Sequence, residues 1–90
     1  MEHLHGVVHG DVQGVGFRYH LMREARRLGL HGWVRNRHDG TVEFVAEGAR
    51  PDLDRLKEAA QRGPGMGHVD RVDAEWSSAT GGLESFDLTG

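Results

Sequence analysis

HGWVRNRHDGTVEFVAEG, residues 31–48, consists of two apolar-rich runs separated by a turn signal. HGWVRN (31–36) and TVEFVAEG (41–48) are typical of strands, because apolar and β-branched residues alternate with polar ones. Asp39-Gly40 between them is a strong signal for a hairpin. We therefore predict two antiparallel strands here, the second with Val42, Phe44 and Ala46 facing inward and with Thr41, Glu43, Val45 and Glu47 facing outward.

A helix is predicted on each side of this hairpin. Upstream, the apolar residues from Phe17 to Leu28 fall at steps of four, four and three, which is one face of a helix, and Gly29 follows as a C-terminal cap. Downstream, Pro51 suits a first helical turn, and the Gly-Pro pair at 63–64 ends the helix. The spacing of leucines and alanines between them again gives one apolar side.

Further strands are predicted outside the two helices: LHGVV (4–8), HVDRVDAEW (68–76) and a short last strand, LESFDL (83–88). The order is then β-α-β-β-α-β plus a terminal strand. With right-handed crossovers it gives an α+β, ferredoxin-like sandwich, an antiparallel sheet with two helices on one face. No repeat, low-complexity tract or linker interrupts residues 1–90, so we predict one domain.

Composition restricts the class of protein. The chain has no cysteine, which fits a reducing cytosol, and we expect a cytoplasmic protein. Its 11 basic and 14 acidic residues give a net charge of −3, which argues against a nucleic-acid or anionic-membrane binder. No apolar run approaches the roughly 20 residues of a membrane-spanning helix, and MEHLHGVVHG (1–10) does not resemble a signal peptide.

The connection from the first strand to the first helix is GDVQGVGFR (10–18). A glycine-rich loop lets consecutive backbone N–H groups point into one concavity, and the helix behind it adds free N–H groups and its positive dipole end. Together they suit a phosphate, over which Arg18 can place its planar donors. The motif is neither a dinucleotide fingerprint, because Tyr19 replaces the third glycine, nor a P-loop. A plain connection with a solvent-exposed Arg18 is the alternative.

A second polar residue is predicted to lie near Arg18. From Arg18 to Gly29 the helix rises about 16 Å, and from His31 to Asn36 the strand returns by about 16 Å. Asn36 therefore comes back to the level of the loop. Its amide can accept a hydrogen bond from a water molecule and donate one to it, aiming the water at a phosphoryl group. A simple strand-end residue that favours a turn is the alternative.

Two long segments, VHGDVQGVGFR (8–18) and GWVRNRHDGTVEFVAEG (32–48), resemble the two signatures of the acylphosphatase family. GPGMGHVDRV (63–72) is similar to the stretch after that family's second helix, whereas FDLTG (86–90) departs from the more aromatic or basic ending of many members. The resemblance covers essentially the whole chain. It implies a free-standing, monomeric domain with a ferredoxin-like fold. A relative also occurs as a module of carbamoyl-transferring proteins, which makes carbamoyl phosphate one candidate substrate.

The resemblance implies hydrolysis of a small-molecule acyl phosphate to a carboxylate and orthophosphate, without a metal or cofactor. Arg18 matches the family's phosphate-binding arginine and Asn36 its water-orienting asparagine. The phosphate-cradling backbone matches the loop residues Val12, Gln13, Gly14, Val15, Gly16 and Phe17.

Two other classes of protein, and a metal site, are alternatives. A non-catalytic binder of phosphorylated metabolites would use the same loop. An RNA-recognition domain shares the order of elements but needs aromatic residues and basic charge on the sheet. His3, His5 and His9 share one strand face and are a candidate metal site, although a solvated sheet face explains them better.

Overall fold

The computed structural model describes residues 1–89 of the chain. Along them the elements follow the predicted order of strands and helices. They are β1 (Glu2–Asp11), α1 (Phe17–Arg27), β2 (His31–Asn36), β3 (Val42–Gly48), α2 (Arg50–Arg62), β4 (His68–Ser78) and β5 (Asp87–Leu88). The predicted α+β architecture is confirmed.

The strands form a single sheet in the order β4-β1-β3-β2-β5. β3 pairs antiparallel with both β1 and β2, and β1 pairs antiparallel with β4. Because β1 and β2 are both antiparallel to β3, they run in the same direction. Their carboxyl ends, at Asp11 and Asn36, therefore lie at the same edge of the sheet.

The short extra C-terminal strand predicted from the sequence is present as β5, and its direction in the sheet is not part of that prediction. β5 pairs parallel with β2, so the five-stranded sheet is mixed. The predicted strand over 83–88 shrinks to Asp87–Leu88, preceded by an isolated bridge between His31 and Ser85. The physical reason is the path of the chain, since residues 79–86 must cross from β4 at one edge of the sheet to β2 near the other.

Both helices pack on one face of the sheet and enclose the core. Fully buried side chains come from α1, α2 and the inward positions of the strands: Phe17, Leu21, Ala25, Leu53, Leu56, Leu4, Val8, Val34, Val42, Phe44 and Ala46. Gly6 is required at its position in β1, because a Cβ there would fall on the ring of Phe44. Within residues 1–89, no helix combines the length and apolar character needed to cross a bilayer.

The helix-free face of the sheet carries paired charges. His3 Nδ1 lies 2.6 Å from a carboxylate oxygen of Glu47, and His5 Nε2 lies 2.7 Å from one of Glu43. The alternation of apolar and polar residues in β3 predicts that Glu47 is exposed, whereas Glu47 is only 2% exposed. The crossing segment covers it, and the N–H groups of Thr80 and Gly81 donate to its carboxylate at 3.1 and 3.2 Å. Thr41 and Val45, also predicted to face outward, are buried as well.

Candidate functional site

The loop that follows β1 has a backbone conformation that favours glycine. A register shift between His9 and Gly10 marks a β-bulge in the pairing of β1 with β4, just before the chain leaves the sheet. Gly14 and Gly16 then have φ angles of 76° and 80°, in the left-handed region. A Cβ at either position would meet nothing within 4 Å, so backbone geometry rather than crowding accounts for glycine here.

At the N-terminus of α1, directly after this loop, the first backbone N–H groups are free. Gly16 is the N-cap residue, no side chain caps the helix, and the first turn contains no acidic residue. The backbone bond from His20 N to Gly16 O, at 3.0 Å, closes the first turn. The N–H groups that precede it have no acceptor within the helix, and they lie at the positive end of its dipole. This arrangement suits a bound anion.

A cavity of about 110 Å³ lies between the loop, the start of α1 and the end of β2. The side chains and backbone that line it belong to Val12, Gly14, Gly16, Phe17, Arg18, Tyr19 and Asn36. Arg18 and Asn36, which are 18 residues apart in the chain, therefore face one cavity. The side chains of Val12 and Phe17 are buried and fix the two ends of the loop in the core.

Asn36 has an unusual environment within this cavity. Within residues 1–89, its Oδ1 is the one buried side-chain oxygen or nitrogen that has no hydrogen-bond partner. Leaving a buried acceptor unpaired costs about 1–3 kcal/mol, and such atoms commonly mark a position that a water or ligand completes. The amide is thus available to a molecule bound in the cavity.

Arg18 is also free to bind a ligand. Seven other arginines pair with carboxylates, whereas within residues 1–89 Arg23 and Arg62 do not; the seven are Arg26, Arg27, Arg35, Arg37, Arg50, Arg55 and Arg71. In the described part of the chain, Arg18 makes no such ion pair, and no Asp, Glu or His lines the cavity. The cavity therefore presents one guanidinium and several backbone N–H groups, without a carboxylate to compete for them. This electrostatic character favours a phosphate or a similar anion.

Gln13 and Val15, predicted as part of the phosphate cradle, do not line the cavity. Gln13 instead uses its side chain, whose Nε2 donates to the backbone oxygens of Arg37 and Thr41 at 2.7 and 2.9 Å. Val15 packs towards Gly67, where an added Cβ would come within 2.8 Å of Val15 Cγ2. The loop is thereby held against the turn between β2 and β3 and against the segment before β4.

Tyr19 also lines the cavity, a position that the sequence does not predict. Its side chain is exposed, and it follows Arg18 directly in the first turn of α1. An aromatic residue in a helix is most often part of the apolar face, so no sequence signal distinguishes a rim position.

A wider depression, of about 360 Å³, adjoins this cavity and shares Asn36 with it. It is lined by Arg35, Asn36, Arg37, His38 and Asp39. The Asp39 carboxylate accepts hydrogen bonds from the Thr41 hydroxyl at 2.6 Å and from the Thr41 N–H at 3.0 Å. These two bonds, with Arg37 nearby, hold the pKa of Asp39 below its usual value.

The histidine-rich face lies apart from the cavity. Each of its three β1 histidines contacts a carboxylate, the third being His9, whose Nε2 is 2.9 Å from Asp73 Oδ2. The hydrogen bond from His3 lowers the pKa of Glu47, and the hydrogen bond from His5 lowers that of Glu43. Across residues 1–89, no three His, Asp or Glu side chains are grouped as metal ligands would be.

Comparison with known proteins gives one consistent result. The sequence model of the acylphosphatase family matches residues 4–88. A protein named acylphosphatase from Thermococcus kodakarensis is 49% identical over 83 residues, which is 92% of this chain and 90% of that protein. Another, from Cupriavidus pinatubonensis, is 49% identical over 88 residues, 98% of this chain and 96% of that protein.

Solved structures agree with the sequence comparison. The crystal structure of acylphosphatase from Bacillus subtilis superposes with a TM-score of 0.96 at 38% identity, with 100% of both chains covered. The structure of HypF from T. kodakarensis matches with a TM-score of 0.83 at 31% identity. All of this chain corresponds to only 12% of the HypF chain, so the likeness is to one part of a much larger protein.

Proposed function

This chain belongs to the acylphosphatase family and is a hydrolase of acyl phosphates, and we propose that its active site is the cavity lined by Arg18 and Asn36. The observation that carries this proposal is the buried, unpartnered Oδ1 of Asn36 in the same cavity as Arg18 and the uncapped start of α1. These groups provide separate means of binding a phosphoryl group and a water molecule.

The phosphoryl group is bound by Arg18 and by the backbone. Arg18 has no carboxylate partner in the described residues, so its planar donors are free to bind two phosphoryl oxygens. Backbone N–H groups of the loop residues that line the cavity, and of the first turn of α1, supply further donors. Negative charge on the equatorial oxygens in the transition state is stabilised by these fixed dipoles, which do not have to reorganise during the reaction.

The attacking water is oriented by Asn36. Its Oδ1 accepts a hydrogen bond from the water and so directs a lone pair of the water oxygen at phosphorus. Asn36 ends β2, paired with Val42, and the bonds from Gln13 hold the turn that follows it. Such fixed placement is what a positioning role requires, because misplacement by about 1 Å can cost about 100-fold in rate.

The chemistry needs little acid or base assistance. Attack by the water oxygen forms a bond to phosphorus while the bond from phosphorus to the acyl oxygen breaks, releasing a carboxylate. The conjugate acid of that carboxylate has a pKa near 4, so the leaving group needs no proton. The water proton passes to a phosphoryl oxygen of the substrate, giving orthophosphate. This route agrees with a described cavity wall that contains no carboxylate or imidazole.

We further propose that the protein acts as a monomer in the cytoplasm, without a metal or cofactor. The groups that the proposed reaction uses, which are Arg18, Asn36 and the loop backbone, all belong to the same chain, so the proposed chemistry does not require a second subunit. Arg18 and the backbone dipoles supply positive charge at the place where phosphate charge develops, which is the part a cation would otherwise play. Sedimentation of the purified protein during turnover tests the monomeric state, and turnover with and without a chelator tests whether a metal is needed.

Two substitutions separate the proposed roles. Arg18→Ala should lower kcat/KM for acetyl phosphate by about 10³-fold or more and also weaken inhibition by orthophosphate. Asn36→Ala should lower kcat by about 10²- to 10³-fold while the inhibition constant of orthophosphate stays near that of the wild type. Phosphate release is measured directly, and the midpoint of thermal unfolding shows whether each variant is folded.

Arg23→Ala is the matched control, because Arg23 is an exposed arginine on the same helix and does not line the cavity. It should keep wild-type kinetics. A fully active Asn36→Ala variant would exclude the water-orienting role, and an Arg18→Ala variant that still binds orthophosphate normally would exclude the phosphate site.

A further inference from the structure

The acyl part of the substrate has one evident place to lie, given the function proposed above. The cavity of about 110 Å³ is lined by Arg18, Asn36 and the loop, and it must hold both the phosphoryl group and the attacking water. An acyl chain attached to that phosphoryl group must leave the cavity. The depression of about 360 Å³ shares Asn36 with the cavity and is open to receive it.

The two arginines that line this depression differ in how strongly they are paired with carboxylates. Arg35 is held by Glu43, because its Nε and Nη2 both lie 2.7 Å from Glu43 Oε1. Within residues 1–89, the Arg37 guanidinium has one ion pair, in which its Nη2 lies 3.7 Å from Asp39 Oδ2, a distance longer than a direct hydrogen bond. Both bonds from Thr41 fall on Asp39 Oδ1, whereas Arg37 faces Oδ2, and within residues 1–89 no nitrogen of the Arg37 guanidinium donates a hydrogen bond. Arg37 is therefore the guanidinium in this wall with unused donors.

Arg37 is also fixed at its backbone. Its carbonyl accepts the hydrogen bond from Gln13 Nε2 at 2.7 Å, and its N–H donates to Thr41 O at 2.9 Å. Its side chain is 38% exposed, and it follows Asn36 directly. The Arg37 side chain thus extends from a backbone held by two hydrogen bonds, and it lines the depression together with Asn36 and His38.

We propose that Arg37 binds a second anionic group carried by the acyl part of the substrate. The protein then favours acyl phosphates whose short acyl chain ends in a carboxylate or a phosphate over uncharged ones such as acetyl phosphate. The second anion replaces Asp39 as the partner of Arg37, while Thr41 continues to hold Asp39.

Two non-hydrolysable phosphonates of equal chain length test this inference. 4-Phosphonobutyrate and butylphosphonate differ only in a terminal carboxylate in place of a methyl group. Their dissociation constants are measured by ¹⁵N NMR titration of the full chain. In the wild type, 4-phosphonobutyrate should bind about three- to fivefold more tightly at low salt, as for an exposed ion pair, and this preference should fall as salt screens it.

Arg37→Gln should remove this preference, so that both phosphonates bind alike. Arg71→Gln is the matched control, because it removes the same charge from β4 at the far edge of the sheet and should keep the ratio. The inference is overturned if the wild type shows no preference, if Arg37→Gln retains it, or if Arg71→Gln lowers it equally.

Hydrolysis of acetyl phosphate by the wild type is assayed in parallel, since it tests the proposed function alone. Turnover without a phosphonate preference contradicts only the second-anion site. Absence of both turnover and phosphonate binding contradicts the proposed active site.

Discussion

Gln13 shows how a single side chain connects the two halves of the site. Its amide nitrogen donates to backbone oxygens on both sides of the turn that follows Asn36. The loop of Gln13 forms one wall of the cavity, and Asn36 forms the other. These two hydrogen bonds therefore fix the distance between the bound phosphoryl group and the amide that orients the water.

Replacing Gln13 by methionine should affect turnover more than binding. Gln13→Met keeps the length of the side chain but removes both donors, so Asn36 is held less firmly. We expect kcat for acetyl phosphate to fall by about 10- to 100-fold. The inhibition constant of orthophosphate should change little, because Arg18 and the backbone remain.

Gln61→Met, at an exposed position near the end of α2, is the matched control and should behave like the wild type. Steady-state kinetics with orthophosphate as a competitive inhibitor measures both constants. A loss of binding equal to the loss of turnover in Gln13→Met would contradict the positioning role.

The sequence predicts these residues unequally. Arg18 and Asn36 could be named because the lengths of α1 and β2 bring them to the same level, and because both lie in segments that resemble a known family. The side-chain bonds of Gln13 and the rim position of Tyr19 could not. Element lengths predict where a residue lies along its own element, but they do not specify which atom of another element it meets.

At the scale of elements, β3 is held by side-chain hydrogen bonds on its helix-free face as well as by its pairing with β1 and β2. Glu47 accepts bonds from His3 and from the N–H groups of Thr80 and Gly81, so it joins β1, β3 and the crossing segment. Alternation in the sequence predicts the side of the sheet on which Glu47 lies. It does not predict that a segment more than 30 residues later covers Glu47. The path of that same segment across the sheet also leaves β5 shorter than expected.

Glu47 should make stability depend on pH in the acid range. Its pKa is lowered in the folded protein, chiefly by the hydrogen bond from His3. Its contribution to stability is therefore present above about pH 4.5, the ordinary pKa of a glutamate, and is lost as the pH falls through the lowered value. Glu47→Gln should reduce the free energy of unfolding by about 1–3 kcal/mol at pH 7.

The difference between wild type and Glu47→Gln should shrink as the pH falls below about 4.5. Urea unfolding at pH 7 and pH 3 measures it. Glu75→Gln is the matched control, because Glu75 is exposed on the neighbouring strand β4 and should show little difference at either pH. A difference for Glu47→Gln that is the same at both pH values would show that ionisation of Glu47 is not its cause.

At the scale of the whole molecule, the order of elements and the right-handed crossovers predict most of the architecture. The hairpin at Asp39-Gly40 and the two helical periods place β1, β2, β3 and β4 correctly. The parallel pairing of β5 with β2 could not be predicted, because it depends on where residues 79–86 cross the molecule. Phe86, at the end of that segment, belongs to the core, and Leu88 in β5 packs against it.

The sheet order has a consequence for folding. The two halves of the site follow β1 and β2, which are not neighbours in the sheet because β3 lies between them. β1 in turn pairs Glu2 with Gly48 on one side and with Ser78 on the other. We therefore expect most of the chain to be folded before Arg18 and Asn36 face each other, so that activity follows the fraction of fully folded molecules.

Phe86→Ala tests this relation, because Phe86 is fully buried and does not line the cavity. It should cost about 3–5 kcal/mol of folding free energy. In urea, activity and the fluorescence of Trp33 and Trp76 should then be lost together, at a lower midpoint than in the wild type. The midpoint for Phe86→Leu should lie between those of Phe86→Ala and the wild type. KM below the transition should be unchanged, and activity lost before fluorescence would mean that the site opens independently. We therefore expect substitutions in the core near the C-terminus to change the fraction of folded, active molecules and to leave the kinetic constants of each folded molecule unchanged.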